Sequence, residues 1–118
     1  MKAVKPIYHN ESGTSFFWKK ENDIVTDKVQ LIFRETGFYF SRPELKQFKN
    51  CIDESYRSNH SCDNCDLKNS CHKFLLRTPC SQIDLAVTMN ELTAVKDLVE
   101  GTLFNISMID YLHGEGMN

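Results

Sequence analysis

Apolar and polar residues alternate twice in close succession between Asp27 and Ser41. Val29, Leu31 and Phe33 occupy every second position, the period of a strand with one buried face, and Phe38 and Phe40 resume it. Between the two runs, "ETG" supplies turn chemistry with Gly37, so the stretch predicts a β-hairpin. The period then changes. Ser41 is followed three residues later by Glu44, with Pro43 in the first turn, which is a capping box, and Leu45, Phe48, Ile52 and Tyr56 share one helical face. The helix is expected to fade near Ser58-Asn59.

The second half has the same order. "KFLLRT" and "QIDLAV" read as two strands, Thr88 and Glu91 form another capping box, and Leu92, Val95, Val99, Leu103, Ile106 and Ile109 carry an apolar stripe onward. Gly101 interrupts that stripe at a cost of about 1 kcal/mol relative to Ala, which implies a kink or a close packing contact. Phe38, Phe40, Ser41, Glu44, Leu45, Phe48 and Ile52 line up in turn with Leu85, Val87, Thr88, Glu91, Leu92, Val95 and Val99. An internal repeat and shared local physics both produce such a match, and both predict one architecture.

That architecture is an α+β fold of two hairpin–helix units, 24–58 and 73–113. Their strands form one antiparallel sheet with both helices on one face, and a cysteine-bearing loop, 59–72, is inserted between them. Residues 1–15 read as a loose polar arm and 16–118 as a single domain, opening with "FFWKK" at 16–20 as a short aromatic strand. Tyr39 points away from Phe38 and Phe40, and Trp18 away from Phe17. Aromatics on both faces suggest a second face covered by the N-terminal arm, a protein partner or a second copy. An ordinary surface with an aromatic or two is the alternative.

The totals narrow the chemistry. A chain of 118 residues is one domain and can build a core without disulfides. Its net charge of −2 gives no general attraction to nucleic acid or anionic membrane. No apolar run approaches the roughly 18 residues of a membrane span. The first residues hold no continuous apolar segment of the signal-peptide kind, so the expected compartment is the reducing cytoplasm, where thiols stay free or bind metal. The five cysteines are also an odd number.

Four of them, Cys62, Cys65, Cys71 and Cys80, follow the spacing C-x2-C-x5-C-x8-C. The C-x2-C half-site wraps a metal, and Cys71 and Cys80 complete a tetrahedral set of thiolates suited to structural zinc, with His60 and His72 as substitute ligands. An iron–sulfur cluster also takes four thiolates, and C-x2-C-x5-C resembles the first cysteines of the cluster-binding extension of some radical enzymes. That extension continues into a glycine-rich element and a barrel, neither of which is present, so zinc ranks ahead. A thiol redox pair at Cys62 and Cys65 is the second reading, opposed by the adjacent Asp63 and Asp66. A metal-free loop with incidental thiols is the third. Cys51 lies on the first helix and is not an obvious ligand.

Little else suggests catalysis. Asp84 and Glu91 have no evident helper for acid–base work, and no phosphate-binding glycine loop is present. Lys19 and Lys20 beside aromatics make too short a basic stripe for nucleic acid. His9 and His113, and Asp53 with Glu54, read as solvated. The residues point to a binding or scaffolding domain rather than an enzyme.

The run "VQLIFRETGFYFSRPEL" together with "IDLAVTMNELTAVKDLVEGTLF" resembles a family of small bacterial proteins of unknown function, over roughly residues 13–112. The resemblance supports the fold and implies no activity. That family carries a C-x-x-C near its first strand, where this chain has "WKKEND", so no metal site transfers through it.

Overall fold

The computed structural model describes residues 3–60, of which the His60 side chain is excepted, and 72–112. Within them the chain is α+β. The elements are β1 (Val4–Asn10), β2 (Gly13–Lys20), β3 (Asp23–Ile24), β4 (Lys28–Phe33), β5 (Thr36–Ser41), α1 (Arg42–His60), β6 (Phe74–Arg77), β7 (Asp84–Val87) and α2 (Met89–Leu112). Strands β1, β2, β4 and β5 form an antiparallel sheet in that order, with the short β3 paired to the end of β2.

The alternation read from the sequence sets the inner face of this sheet. Phe17, Val29, Leu31, Phe33, Phe38 and Phe40 are all buried there. Helix α1 packs across β4 and β5, and α2 across β1 and β2, so both helices lie on one face and meet each other. Leu45, Phe48 and Ile52 of α1 and Leu92, Val95 and Val99 of α2 complete the core. Phe48 sits 5.4 Å from the ring of Phe38 and 5.5 Å from that of Phe40.

Both capping boxes form as the sequence implies. The Ser41 amide donates to Glu44 Oε1 at 2.8 Å while the Glu44 amide donates to Ser41 Oγ at 3.3 Å. At α2 the Thr88 amide donates to Glu91 Oε1 at 2.9 Å and the Glu91 amide to Thr88 Oγ1 at 3.1 Å. Each box satisfies amides that a helix start leaves orphaned.

Three expectations are corrected. Residues 1–15 are not a loose arm, because Val4–Asn10 is an edge strand of the main sheet. Asn10 closes the β1–β2 turn by accepting the amides of Ser12 and Gly13, and its own amide donates to the Ala94 carbonyl and to Asp97 of α2. Its short side chain makes the turn and anchors the strand together, which hydropathy cannot register. The β4–β5 turn falls at Arg34-Glu35 rather than around Gly37, since Phe33 pairs with Thr36 and Ile32 with Gly37. Finally, the strands do not merge into one sheet. β6 and β7 pair only with each other, and the hairpin packs on the helices, β6 on α1 and β7 on α2. Among the described residues no helix is long and apolar enough to cross a membrane.

Candidate functional site

The outer face of the large sheet is built by the same alternation that fills the core. Phe16 and Trp18 of β2, Gln30 and Ile32 of β4 and Tyr39 of β5 point away from both helices. Phe16 pairs with Gln30, and Gln30 with Tyr39, giving one row across three strands. The row is held in place. Phe16 and Trp18 meet edge to face at 5.0 Å. Trp18 Nε1 donates to Gln30 Oε1 at 3.1 Å, and Gln30 Nε2 donates to the Phe38 carbonyl at 3.2 Å. Tyr39 is 47% exposed, with the Lys28 ammonium 5.2 Å above its ring. Lys28 of β4 shares this face, as does Lys20 of β2, which pairs with Asp23 of β3, and Lys19 and Lys20 stand exposed at the end of β2.

The cysteines divide. Cys62, Cys65 and Cys71 lie outside the described residues. Cys80 is exposed, in the turn between β6 and β7, where its thiol donates to Gln82 Oε1 at 3.3 Å. Its amide donates to Thr78 Oγ1, and the Thr78 hydroxyl faces the Cys80 and Ile83 carbonyls, so the turn is tightly made. This turn is at the end of β6 remote from residue 72. A four-residue strand spans about 10–13 Å, so a shared ion requires the 61–71 segment to run back along β6. Cys51 is half-buried between α1 and the β6–β7 hairpin, beside a cavity of about 260 Å³ lined also by Arg77, Thr78 and Asp84. Burial pushes its thiol pKa up, Glu54 adds to this and Arg77 opposes it, so Cys51 stays a thiol at neutral pH. Among the described residues no group of three or more His, Cys, Asp or Glu side chains converges on a metal site.

Ion pairs join the two helices. Asp53 bonds to Lys49 Nζ at 2.6 Å and lies 3.4 Å from Lys96, which also pairs with Glu100. Burial works against the Asp53 charge, but these ammonium groups hold its carboxyl below the usual carboxylate range. Asp53 is therefore a structural ion-pair member rather than a solvated residue. Arg42 pairs with Asp110 at 2.6 Å and donates to the Thr26 carbonyl, tying the start of α1 to the end of α2. Beside it, a groove of about 470 Å³ runs between the helices over Leu45, Leu103 and Ile106.

The sequence reading passed over one surface. Phe104, Met108, Tyr111 and Leu112 all stand exposed on α2. The periodic signal there comes from the buried Ile106 and the half-buried Leu103 and Ile109, and a second apolar stripe becomes visible only when the core side of the helix is known. The available sign was the lack of any charged residue from Gly101 through Ile109. Arg34, which bonds Glu91 at 2.6 Å, was equally unread.

No family model matches the chain, and no curated protein or solved structure matches it. The resemblance over residues 13–112 therefore assigns no family.

Proposed function

We propose that the chain is a non-enzymatic binding or scaffolding domain whose outer sheet face takes an apolar, acid-flanked segment of another protein. The observation behind this is the ordered row of Phe16, Gln30 and Tyr39 with Trp18 on the sheet face opposite the core, where Tyr39 is 47% exposed. The row is nearly uncharged, which suits apolar side chains, and Lys28 with Lys19 and Lys20 favours an acidic flank. Trp18 is the chain's single tryptophan, so its fluorescence reports occupancy of this face directly. Peptides selected from a random library should change Trp18 emission saturably, and Tyr39→Ala should weaken them at least about tenfold. Selected peptides that leave Trp18 emission unchanged, or bind Tyr39→Ala equally well, refute the reading.

Cys62, Cys65, Cys71 and Cys80 bind one structural zinc in this proposal, in the reducing cytoplasm. His72, next to Cys71 and exposed, is the substitute for Cys80 as fourth ligand and needs no return path along β6. Protein purified under reducing conditions without added metal should carry about one zinc per chain. A zinc content near zero ends the zinc proposal and leaves the sheet face untouched. Cys80→Ser and His72→Ala, analysed separately, identify the fourth ligand by which one lowers the content.

A further inference from the structure

The C-terminal half of α2 carries apolar side chains on two of its sides. Ile106 and Thr102 are buried against the sheet, while Phe104 is 65%, Met108 43%, Tyr111 57% and Leu112 74% exposed on the far side. These four fall at i, i+4, i+7 and i+8, so they form one stripe along the helix. A helix with this pattern is normally covered on both sides. Over Ser107 the stripe adjoins the α1–α2 groove floored by Leu45, Leu103 and Ile106.

Arg42 lies beside Asp110 and Asp53 beside Lys96, so α1 runs antiparallel to α2 and ends near the start of α2. At 1.5 Å per residue, that end is about 24 Å from Met108.

We propose that a second copy of the chain covers the stripe, the two α2 helices packing antiparallel across a two-fold axis near Met108. In that arrangement Phe104 of each copy lies against Tyr111 and Leu112 of the other, and the surface is complementary to itself. The stripe carries no charge, so bringing like against like incurs no repulsion. Phe, Tyr and Met are also the residues enriched in interface cores. The four side chains expose roughly 500 Å² per copy, taking 150–250 Å² for each fully exposed aromatic as a guide. Two copies then bury about 1,000 Å², the threshold for a specific interface, before the adjoining groove contributes.

The test is the mass of the full chain in solution, by sedimentation equilibrium at concentrations up to about 100 µM, where even a Kd of about 10 µM gives mostly dimer. The chain has a mass of 13.7 kDa and should sediment at twice that value. Phe104→Glu and Tyr111→Lys should each weaken dimerisation at least about a hundredfold with unchanged circular dichroism, because both sites are exposed in the single chain. An equimolar mixture of the two should recover a heterodimer, since antiparallel packing sets the new Glu against the new Lys. Phe104→Ala gives a milder variant should a charge disturb folding, and Tyr39→Ala on the sheet face should remain dimeric. A monomeric wild type, a dimer indifferent to Phe104→Ala and Phe104→Glu, or a mixture that stays monomeric overturns the proposal.

Discussion

The ring of Tyr8 lies so close to Gly101 that a methyl group there would sit 2.5 Å from both Cε2 and Cζ. The β1 register shifts between Pro6 and Tyr8, and the Tyr8 hydroxyl donates to Asp97, one turn before Gly101, at 2.9 Å. The glycine read from the sequence as a kink or a close contact is a close contact. Two effects of Gly101→Ala compete. Helix propensity gains about 1 kcal/mol, while forcing the ring aside costs about 1–3 kcal/mol. The expected net effect is destabilising. In a Tyr8→Ala background the clash is gone and the same substitution should stabilise by about 1 kcal/mol. Chemical denaturation of the four variants checks the change of sign, and an equal effect in both backgrounds refutes it.

Ser15 and Thr102 provide a second link between sheet and helix. Their hydroxyls meet at 2.6 Å with both residues fully buried, and Thr102 also lies 2.6 Å from the Leu98 carbonyl while Ser15 lies 3.3 Å from the Tyr8 carbonyl. Each hydroxyl has one proton, so the pair orders itself as a relay ending on one carbonyl or the other. Thr102→Val should cost about 1 kcal/mol, and Ser15→Ala a similar amount. Because both act on one bond, the double variant should fall short of the sum by about 0.5–1 kcal/mol. Strict additivity in the denaturation cycle would show that the two hydroxyls do not cooperate.

What could be read from the sequence follows the range of the interactions. The alternation through Val29, Leu31, Phe33, Phe38 and Phe40 and both capping boxes rest on local period and on partners three residues apart, and they stand as read. The outward turn of Tyr39 and Trp18 is local in the same sense. In β1, Pro6 and a register shift break the alternation, so its pairing with β2 leaves almost no periodic trace. The separation of β6–β7 depends on where α1 packs, and the exposed stripe at Phe104 on which side of α2 meets the core. For Cys62, Cys65 and Cys71 the spacing proposes ligands and carries no geometry, while Cys80 is placed by the Thr78 turn.

Acid should loosen the helix pair before it disturbs the sheet. Against the effect of burial, Asp53 is held below the ordinary carboxylate range by Lys49 and Lys96. Glu91 is held low in the same way by the Thr88 amide, Arg34 and Lys73. A folded pKa below the unfolded one means that the unfolded chain binds more protons as pH falls. The stabilisation is then fully present above the unfolded values of about 4 and is lost as pH drops through the folded ones. Urea midpoints should hold steady from about pH 7 to 5 and decline below that, with a shallower decline in Asp53→Asn. An unchanged slope in that variant removes Asp53 from the effect.

Arg34 sets backbone strain against a tertiary contact. It occupies the β4–β5 turn at φ 53, a left-handed conformation that a side chain makes unfavourable by roughly 1–2 kcal/mol. In return its guanidinium lies 4.9 Å over the Phe33 ring and bonds Glu91, the capping residue of α2. Both partners of this ion pair are partly exposed, so the pair contributes at most about 1 kcal/mol. Arg34→Ala keeps the strain and loses the contact, and should destabilise. Arg34→Gly loses the same contact but relieves the strain, offset in part by the greater freedom of glycine in the unfolded chain. The glycine variant should therefore be more stable than the alanine variant by about 1 kcal/mol and close to wild type. Thermal denaturation of the three proteins gives the order, and an alanine variant at least as stable as the glycine one would mean that the contact to Glu91, and not the turn conformation, governs the position.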